Sequence, residues 1–307
     1  MLKKYAVILL TIIILITNSA EAAKKGKRTK KTVKRPIETS LIVDSETGKI
    51  LHAVNADTKI YPASLAKVMT VYLIFEKLQS GQLSLDQKFT VSKYASKAMP
   101  SKLYLKEGEQ ITVRNAILGL VVKSANDVSR TVAENIAGSG KRFSRLMTIR
   151  ARQLGMKNTT FTNPSGWHDP RQKTTAIDLA KLSIAIKRDF PQYYAEFFHR
   201  NSFTYKGRAV RGHNKVSERY PGADGLKTGF TTPAGCNLIT SATRKGRSLI
   251  GIVTGQRSAA IRDKKMVTLL DKHFGVKPTK FTKKKTTKKK HRKTKKRTRS
   301  NKRNIKT

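Results

Sequence analysis

Residues 62–70 read Pro-Ala-Ser-Leu-Ala-Lys-Val-Met-Thr, and this stretch decides how the rest of the chain is interpreted. A proline suits the first turn of a helix, and apolar residues continue at helical spacing to Leu78 before Gly81 ends the pattern. Positions i and i+3 of a helix share a face, so Ser64 and Lys67 are expected to point the same way. A serine needs a neighbouring base to become a nucleophile, and a lysine with a lowered pKa can be that base.

The pair of Ser64 and Lys67 is more specific than its spacing alone suggests. An isolated Ser-x-x-Lys is most often a helix-capping serine followed by a surface lysine. Ser64, however, is the only serine in the chain with a lysine three positions later, although lysine and arginine together number 65. The positive end of the helix dipole also favours negative charge on the serine oxygen. The stretch therefore predicts a serine nucleophile with its own base.

A second motif is Ser-Ala-Asn at residues 124–126, between apolar patterns that predict helices at 112–123 and 127–137. The Ser124 hydroxyl can relay a proton, and the Asn126 amide can hold a substrate carbonyl or the lysine. The alternative is an ordinary helix break with Asn126 or the next residue as its cap.

A third motif is Gly-Leu-Lys-Thr-Gly-Phe-Thr at residues 225–231. On an edge strand, Lys227 and Thr228 offer a cation and a hydroxyl that can bind a carboxylate. Gly229 lets a substrate approach the backbone closely. The alternative is a solvent-facing strand in a basic protein.

The remaining periodicity places strands at both ends of the chain and helices between them. Alternating apolar residues predict strands at 39–43, 49–53, 236–242 and 248–253. Helical spacing predicts further helices at 141–154, 175–187 and 261–273. This order favours an α/β (α+β) fold whose antiparallel sheet joins the N- and C-terminal segments.

The first 22 residues are typical of a secretory signal peptide. Lys3 and Lys4 precede an apolar run at 5–17, and Ala-Glu-Ala at 20–22 is a small-x-small cleavage site. The alternative is a retained anchor, although the run is shorter than the roughly 20 residues that span a bilayer. We therefore expect an exported protein of the periplasm or cell envelope.

The formal net charge of +46 is concentrated in the flanks. Residues 24–35 carry eight Lys/Arg and residues 277–307 carry 17, in both cases without an acid. We predict a basic disordered linker at 23–35, a catalytic domain at 36–275 and a Lys/Arg-rich disordered tail at 276–307. Outside the cytoplasm nucleic acid is not an expected partner. The tail can bind an anionic envelope surface, or it can simply make the protein soluble.

The chain contains one cysteine, Cys236, so an intramolecular disulfide is excluded. The six histidines are scattered without zinc-ligand spacing, and we expect neither a metal site nor a cofactor. Cys236, His168 and His213 are interpreted as structural residues.

The three motifs occur once each, in the order Ser-x-x-Lys, Ser-x-Asn, Lys-Thr-Gly. Over residues 36–275 the chain resembles the low-molecular-mass penicillin-binding proteins, the serine-type D-alanyl-D-alanine carboxypeptidases of peptidase family S11. Residues 62–70, 123–127, 161–166 and 175–180 carry the resemblance. It implies a β-lactamase/transpeptidase-like fold, with a five-stranded antiparallel sheet flanked by helices and a helical subdomain.

The resemblance implies catalytic roles for the first two motifs. Ser64 is expected to attack the carbonyl of the penultimate D-alanine of a peptidoglycan stem peptide, with Lys67 as general base. Ser124 is expected to pass the proton to the leaving D-alanine, and Asn126 to hold the substrate amide.

The resemblance also implies how the substrate is bound. Lys227 and Thr228 are expected to bind the terminal carboxylate, together with an arginine further along the chain. Arg262 has the matching offset, and Arg257 is a nearby competitor. Backbone N–H groups of the nucleophile and of Phe230 are expected to form the oxyanion hole.

We therefore predict a secreted carboxypeptidase that removes the terminal D-alanine through an acyl-enzyme and is covalently inhibited by β-lactams. A D,D-endopeptidase acting on peptidoglycan cross-links would use the same residues. A class A-like β-lactamase would need a glutamate to activate water, and residues 158–175 contain none. A basic binding protein for polyanions is a rival of another class, which the signal peptide and the ordered motifs disfavour.

Overall fold

The computed structural model describes residues 35–280, and from Pro36 onward these residues form one compact unit. Its strands are, in chain order, β1 (Thr39–Asp44), β2 (Ile50–Val54), β3 (Lys88–Thr90), β4 (Gln110–Thr112), β5 (Ser202–Tyr205), β6 (Arg208–Arg211), β7 (Ala223–Thr231), β8 (Gly235–Arg244) and β9 (Arg247–Gln256). Its α-helices are α1 (Lys67–Gln79), α2 (Lys93–Ser96), α3 (Val113–Leu118), α4 (Asn126–Ala137), α5 (Gly140–Gln153), α6 (Ala176–Asp189), α7 (Pro191–Phe198), α8 (Lys215–Arg219) and α9 (Ala259–Phe274).

The central sheet has five antiparallel strands in the order β2-β1-β9-β8-β7. The N-terminal hairpin therefore pairs with the C-terminal strands, and β7, which carries Lys-Thr-Gly, lies at an edge. Both features confirm the prediction from the sequence. Two short hairpins, β3–β4 and β5–β6, lie outside this sheet.

Side chains of β1 alternate between two apolar clusters because successive residues of a strand face opposite sides. Leu41 and Val43 belong to the larger cluster, which contains α1 and α6, whereas Ile42 belongs to the smaller cluster under α9. Each fully buried side chain of this kind stabilises the fold by about 1.5–3 kcal/mol.

Helix α1 lies at the centre of the larger cluster. Nine consecutive residues, from Lys67 to Phe75, are buried, as expected for a helix that is apolar on every side. The first residue of this buried run is a lysine. The same burial that stabilises α1 therefore places the amine of Lys67 in the protein interior.

The structure differs from the sequence prediction at the start of α1 and at the end of the helix predicted at 112–123. Ser64 lies in a 3₁₀ turn, Ala63–Ala66, that leads into α1, rather than in the α-helix itself. The single helix predicted at 112–123 widens after α3 into a π-helical segment, Gly119–Lys123. Ser124 then adopts a left-handed conformation with φ 61°, which ends the segment and turns the motif away from the helix axis.

Helices α2, α7 and α8 and both short hairpins were not predicted, because they are too short for a periodicity to be read. The predicted signal peptide, most of the predicted linker and the tail beyond residue 280 lie outside the described residues. Residues 276–280 follow α9, and Thr279 donates hydrogen bonds from its backbone N–H and hydroxyl to Asp271. Among the described residues, every helix is too short or too polar to cross a bilayer.

Candidate active site

The 3₁₀ turn and α1 bring the predicted nucleophile and base together. Lys67 Nζ lies 3.0 Å from Ser64 Oγ. Lys67 also donates to Asn126 Oδ1 at 2.7 Å and to the Ser165 carbonyl at 2.6 Å. These three partners hold the amine in one position. Asn126 and Ser165 accept its two N–H groups when it is neutral, and its lone pair can then face the serine oxygen.

Burial makes Lys67 a plausible base. The residue is completely buried, and this desolvation lowers its pKa well below 10.5. The positive charge of Lys227 lowers the pKa further, while the carboxylate of Asp127 acts in the opposite direction. A neutral amine at 3.0 Å can accept the hydroxyl proton of Ser64.

Asn126 begins α4, and its side chain contacts Lys67. Its Oδ1 accepts from Lys67, and its Nδ2 donates to the carbonyls of Met99 at 2.9 Å and Pro100 at 3.1 Å. Of the two roles that the sequence leaves open, the structure supports holding the lysine. Ser124, two residues before Asn126 in the chain, lines the same cavity.

A loop at residues 163–167 holds the third partner of Lys67. Asn163 Oδ1 accepts from the backbone N–H groups of Ser165 and Trp167, and Thr70 on α1 donates to the Pro164 carbonyl at 2.7 Å. Gly166 has φ +79°, and a Cβ there would lie 1.8 Å from the Ala63 carbonyl oxygen. Only glycine therefore permits the loop to lie against the nucleophile turn.

Strand β7 forms one wall of the cavity. Lys227 is buried, and its Nζ donates to the Thr228 carbonyl at 2.9 Å. Burial and the nearby charge of Arg262 lower the pKa of Lys227 to about 7. A Cβ on Gly229 would lie 3.1 Å from the Ser64 backbone nitrogen, so the missing side chain leaves that N–H accessible.

Of the two candidate arginines, Arg262 lines the cavity. It lies on α9, is buried, and donates from Nε and Nη2 to Asp263 Oδ1 at 2.9 and 2.7 Å. Its positive charge contributes to the lowered pKa of Lys227. Arg257 is exposed and is not among the described residues that line this cavity.

The cavity that these residues line has a volume of about 770 Å³. It brings together the predicted Ser64, Ser124, Asn126, Thr228, Gly229, Phe230 and Arg262. Large exposed apolar side chains also line it: Tyr104, Trp167 and Phe230. Lys67 and Lys227 do not line the cavity themselves, but a cavity with a serine hydroxyl, the buried guanidinium of Arg262 and apolar walls suits a peptide that ends in a carboxylate.

Several residues of the site were missed or given other roles by the sequence analysis. Cys236 lies on β8, where it pairs with Phe230 of β7, and it lines the cavity. His213 lines the cavity as well. Desolvation and the charges of Lys123 and Lys227 lower the pKa of His213. Their positions follow from the pairing of distant segments, which no local pattern reports.

Two buried side chains support the site without lining its reactive part. Asn237 on β8 donates to the Tyr61 and Pro62 carbonyls and accepts from the Gly255 N–H, which ties the nucleophile turn to the sheet. Asp127 accepts from the N–H groups of Leu103 and Leu105 and so holds the loop that carries Tyr104. Asp127 was a candidate helix cap in the sequence, whereas Asn237 had no signal.

Comparison with protein families agrees with this arrangement. The family described as D-alanyl-D-alanine carboxypeptidase, peptidase family S11, matches residues 27–258. D-alanyl-D-alanine carboxypeptidase DacF of Bacillus subtilis is 32% identical over 277 residues, which cover 88% of this chain and 70% of DacF. DacC of Escherichia coli is 36% identical over 229 residues, which cover 72% of this chain and 57% of DacC. This chain thus matches little more than half of the second relative.

Solved structures share the fold. Penicillin binding protein 6B from Escherichia coli superposes with a TM-score of 0.72 at 35% identity, covering 77% of this chain and 76% of that protein. Penicillin-Binding Protein D2 from Listeria monocytogenes, solved in a cefotaxime-bound form, gives a TM-score of 0.70 at 30% identity and covers 77% of this chain and 96% of its own. The predicted transpeptidase-like fold is confirmed.

Proposed function

The chain belongs to the D-alanyl-D-alanine carboxypeptidase family, peptidase family S11, and on this premise we propose that it removes the terminal D-alanine from peptidoglycan stem pentapeptides. The observation that carries the proposal is the 3.0 Å contact between Ser64 Oγ and the buried amine of Lys67. A serine beside a lysine with a lowered pKa can act as the nucleophile of an acyl transfer.

Acylation begins when neutral Lys67 takes the hydroxyl proton of Ser64. The serine oxygen attacks the carbonyl carbon of the penultimate D-alanine and forms an ester, while the bond from that carbon to the terminal amine breaks. Ser124 relays the proton taken up by Lys67 to the departing amine, so free D-alanine leaves and Lys67 becomes neutral again. Asn126 and the Ser165 carbonyl keep the amine of Lys67 aimed at the serine oxygen throughout.

The two ends of the scissile peptide bond are held by different groups. Lys227, Thr228 and Arg262 bind the terminal carboxylate, because cations in a desolvated site attract an anion strongly. The backbone N–H groups of Ser64 and Phe230 donate to the carbonyl oxygen as it becomes negative. The absent side chain at Gly229 keeps this oxyanion hole accessible.

Water then hydrolyses the ester and releases the shortened peptide. A β-lactam resembles the D-alanyl-D-alanine end, so its ring opens on Ser64 and leaves a long-lived ester. The relative solved with cefotaxime supports this inhibition. Residues 158–175 contain no glutamate to activate a water as a class A β-lactamase does, which favours slow release.

We also propose that residues 1–22 direct export and that the basic tail retains the enzyme at an anionic envelope surface. Basic residues close to an acidic lipid surface contribute about 1 kcal/mol each. Envelope pelleting of the full chain and of a chain ending at Lys280 should differ at low salt and converge at high salt. Equal retention at every salt concentration argues against a role for the tail.

The central test is mass spectrometry after incubation with labelled penicillin. We expect one covalent adduct per chain, on the peptide that contains Ser64, and none in Ser64→Ala. Ser80→Ala, an exposed serine at the other end of α1, is the matched control and should be labelled normally. A digest of pentapeptide should release one D-alanine per peptide. Labelling that persists in Ser64→Ala refutes the mechanism.

A further inference from the structure

A second cavity, of about 690 Å³, adjoins the catalytic cavity and is strongly basic. Its lining contains six cationic side chains, Lys102, Lys106, Lys123, Lys206, Arg208 and Arg211, and we call it the basic groove. Its carboxylate, Glu109, is already engaged by Lys206 at 2.8 Å and by the hydroxyl of Tyr205 at 2.7 Å.

The positive charges of the basic groove are largely uncompensated. Within residues 35–280, Lys206 is the only one of the six cations that forms an ion pair with a carboxylate. Lys102 donates to the Ser96 backbone carbonyl instead. Like charges crowded on one concave surface raise the local potential and attract anions. The groove is therefore suited to an acidic ligand.

The basic groove adjoins the catalytic cavity beside Ser124, the residue proposed to pass a proton to the leaving group, because Lys123 directly precedes Ser124. Lys102, Tyr104 and Lys123 line both cavities. His213 lines the catalytic cavity and follows Arg211 of the groove by two residues. A chain that extends from the leaving group can therefore continue into the basic groove.

The leaving groups of a carboxypeptidase and of a D,D-endopeptidase share their reactive end. In both, the departing amine is attached to a carbon that carries a carboxylate, which the Lys227–Thr228 wall can bind. In a pentapeptide that carbon bears only a methyl group. In a cross-link through diaminopimelate it bears the rest of a second stem peptide, with further carboxylates. Only the cross-link can occupy a groove beyond the carboxylate.

We propose that the basic groove is the subsite for an acidic leaving peptide, so that the enzyme prefers cross-linked peptidoglycan to free pentapeptide ends. The proposal rests on the proposed acyl-transfer function. The bonds made and broken are unchanged: the ester forms on Ser64, and the released amine, now part of the second stem peptide, takes the proton.

The experiment compares three forms of the full chain: wild type and two triple variants. The groove variant removes three cations that are not shared with the catalytic cavity: Lys106→Gln, Arg208→Gln and Arg211→Gln. The control variant removes three exposed cations on and just after α5: Lys141→Gln, Arg145→Gln and Lys157→Gln. Because both variants lose the same net charge, a difference between them reports position rather than total charge.

The measurement is kcat/KM for a purified diaminopimelate-containing D,D-cross-linked muropeptide dimer and for the pentapeptide monomer. In wild type the ratio should favour the dimer. We expect that ratio to fall about tenfold in the groove variant at low salt and by less at high salt, because exposed ion pairs are weak and screened. The control variant should keep the wild-type ratio.

Three results would overturn the proposal: an unchanged ratio in the groove variant, an equal fall in the control variant, or a wild-type ratio that favours the monomer. Labelling of Ser64 by penicillin tests the proposed acyl-transfer function separately from the role of the basic groove. If labelling fails in wild type, the acyl-transfer function itself is wrong. If labelling is normal but the ratio does not change, only the basic groove is misassigned.

Discussion

The catalytic cavity and the basic groove meet at Lys123, yet they use lysine in opposite ways. In the cavity, Lys67 and Lys227 are buried, and desolvation lowers the pKa of each. In the groove the cations are more accessible to water, and the pairs they form remain screened. Burial thus favours the neutral form of a lysine, which the proposed base Lys67 needs, whereas exposure keeps a lysine charged and able to attract anions. The fold decides which of the two a given lysine becomes.

The largest expected effect comes from removing the buried amine. Lys67→Met keeps the length of the side chain but leaves Ser64 without a base, and we expect penicillin acylation to slow by about 10²- to 10⁴-fold. Lys141→Met, the same change at an exposed position on α5, should alter the rate by less than about twofold. Stopped-flow acylation with a fluorescent penicillin measures both. Similar rates for the two variants would contradict the comparison.

A second expected effect tests how the buried amine is held. In Gly166→Ala the new Cβ meets the Ala63 carbonyl at 1.8 Å, so the loop must move and carry the Ser165 carbonyl away from Lys67. We expect stability to fall by about 1–3 kcal/mol and acylation by about 100-fold. Gly48→Ala, at φ +71° with open space around it, should lose some stability but acylate normally. Thermal unfolding and acylation rates together check this.

A third prediction alters the charge beside Lys67. Asn126→Asp replaces the amide oxygen that accepts from Lys67 with a carboxylate, which should raise the pKa of Lys67. Since the neutral amine is the reactive form, the rate should then increase with pH over a higher range than in wild type. We expect roughly tenfold slower acylation near pH 7. If the rise of the acylation rate with pH occurs over the same pH range as in wild type, Asn126 does not act through the lysine.

The smallest expected effect concerns the alkaline limb of the pH profile. The pKa of Lys227 is about 7 in the free enzyme, so its positive charge, and with it carboxylate attraction, should be lost as the pH rises above that value. We expect kcat/KM to decline by less than about tenfold in all, because Thr228 and Arg262 still bind the carboxylate. Lys227→Arg keeps its charge, so the decline should move to higher pH even if the overall rate is lower.

His213 provides the control for the Lys227 prediction, because a histidine also titrates near neutral pH. In His213→Gln the alkaline limb should remain where it is in wild type. A limb that disappears in His213→Gln and persists in Lys227→Arg would assign the titration to the histidine and contradict the role given to Lys227.

Much of the fold was predictable because local patterns report it directly. Alternation in β1 and β9 and the helical spacing of α1 and α9 gave the right element types, since burial on one face imposes a period of two or 3.6 residues. The π-helical segment before Ser124 was not predictable. It depends on how α3 packs against the rest of the protein, and its sequence resembles that of an ordinary helix.

The residues of the candidate site also fall into two groups, those that the sequence could identify and those that it could not. The proposed nucleophile, base, relay and carboxylate-binding residues could be named because each lies in a short motif. Asn237 and His213 could not, because each meets the site through contacts with segments far away in the sequence. The basic groove was equally hidden, as its cations come from three separate stretches of the chain.

By itself the sequence determined the types and order of the main elements and the chemistry available at each motif, because these depend on neighbouring residues along the chain. Only the tertiary structure decided which lysines lose their water and which keep it, and which charged side chains share a cavity. Solvent exclusion and electrostatic interactions act through space, so they are set by which distant segments pack together.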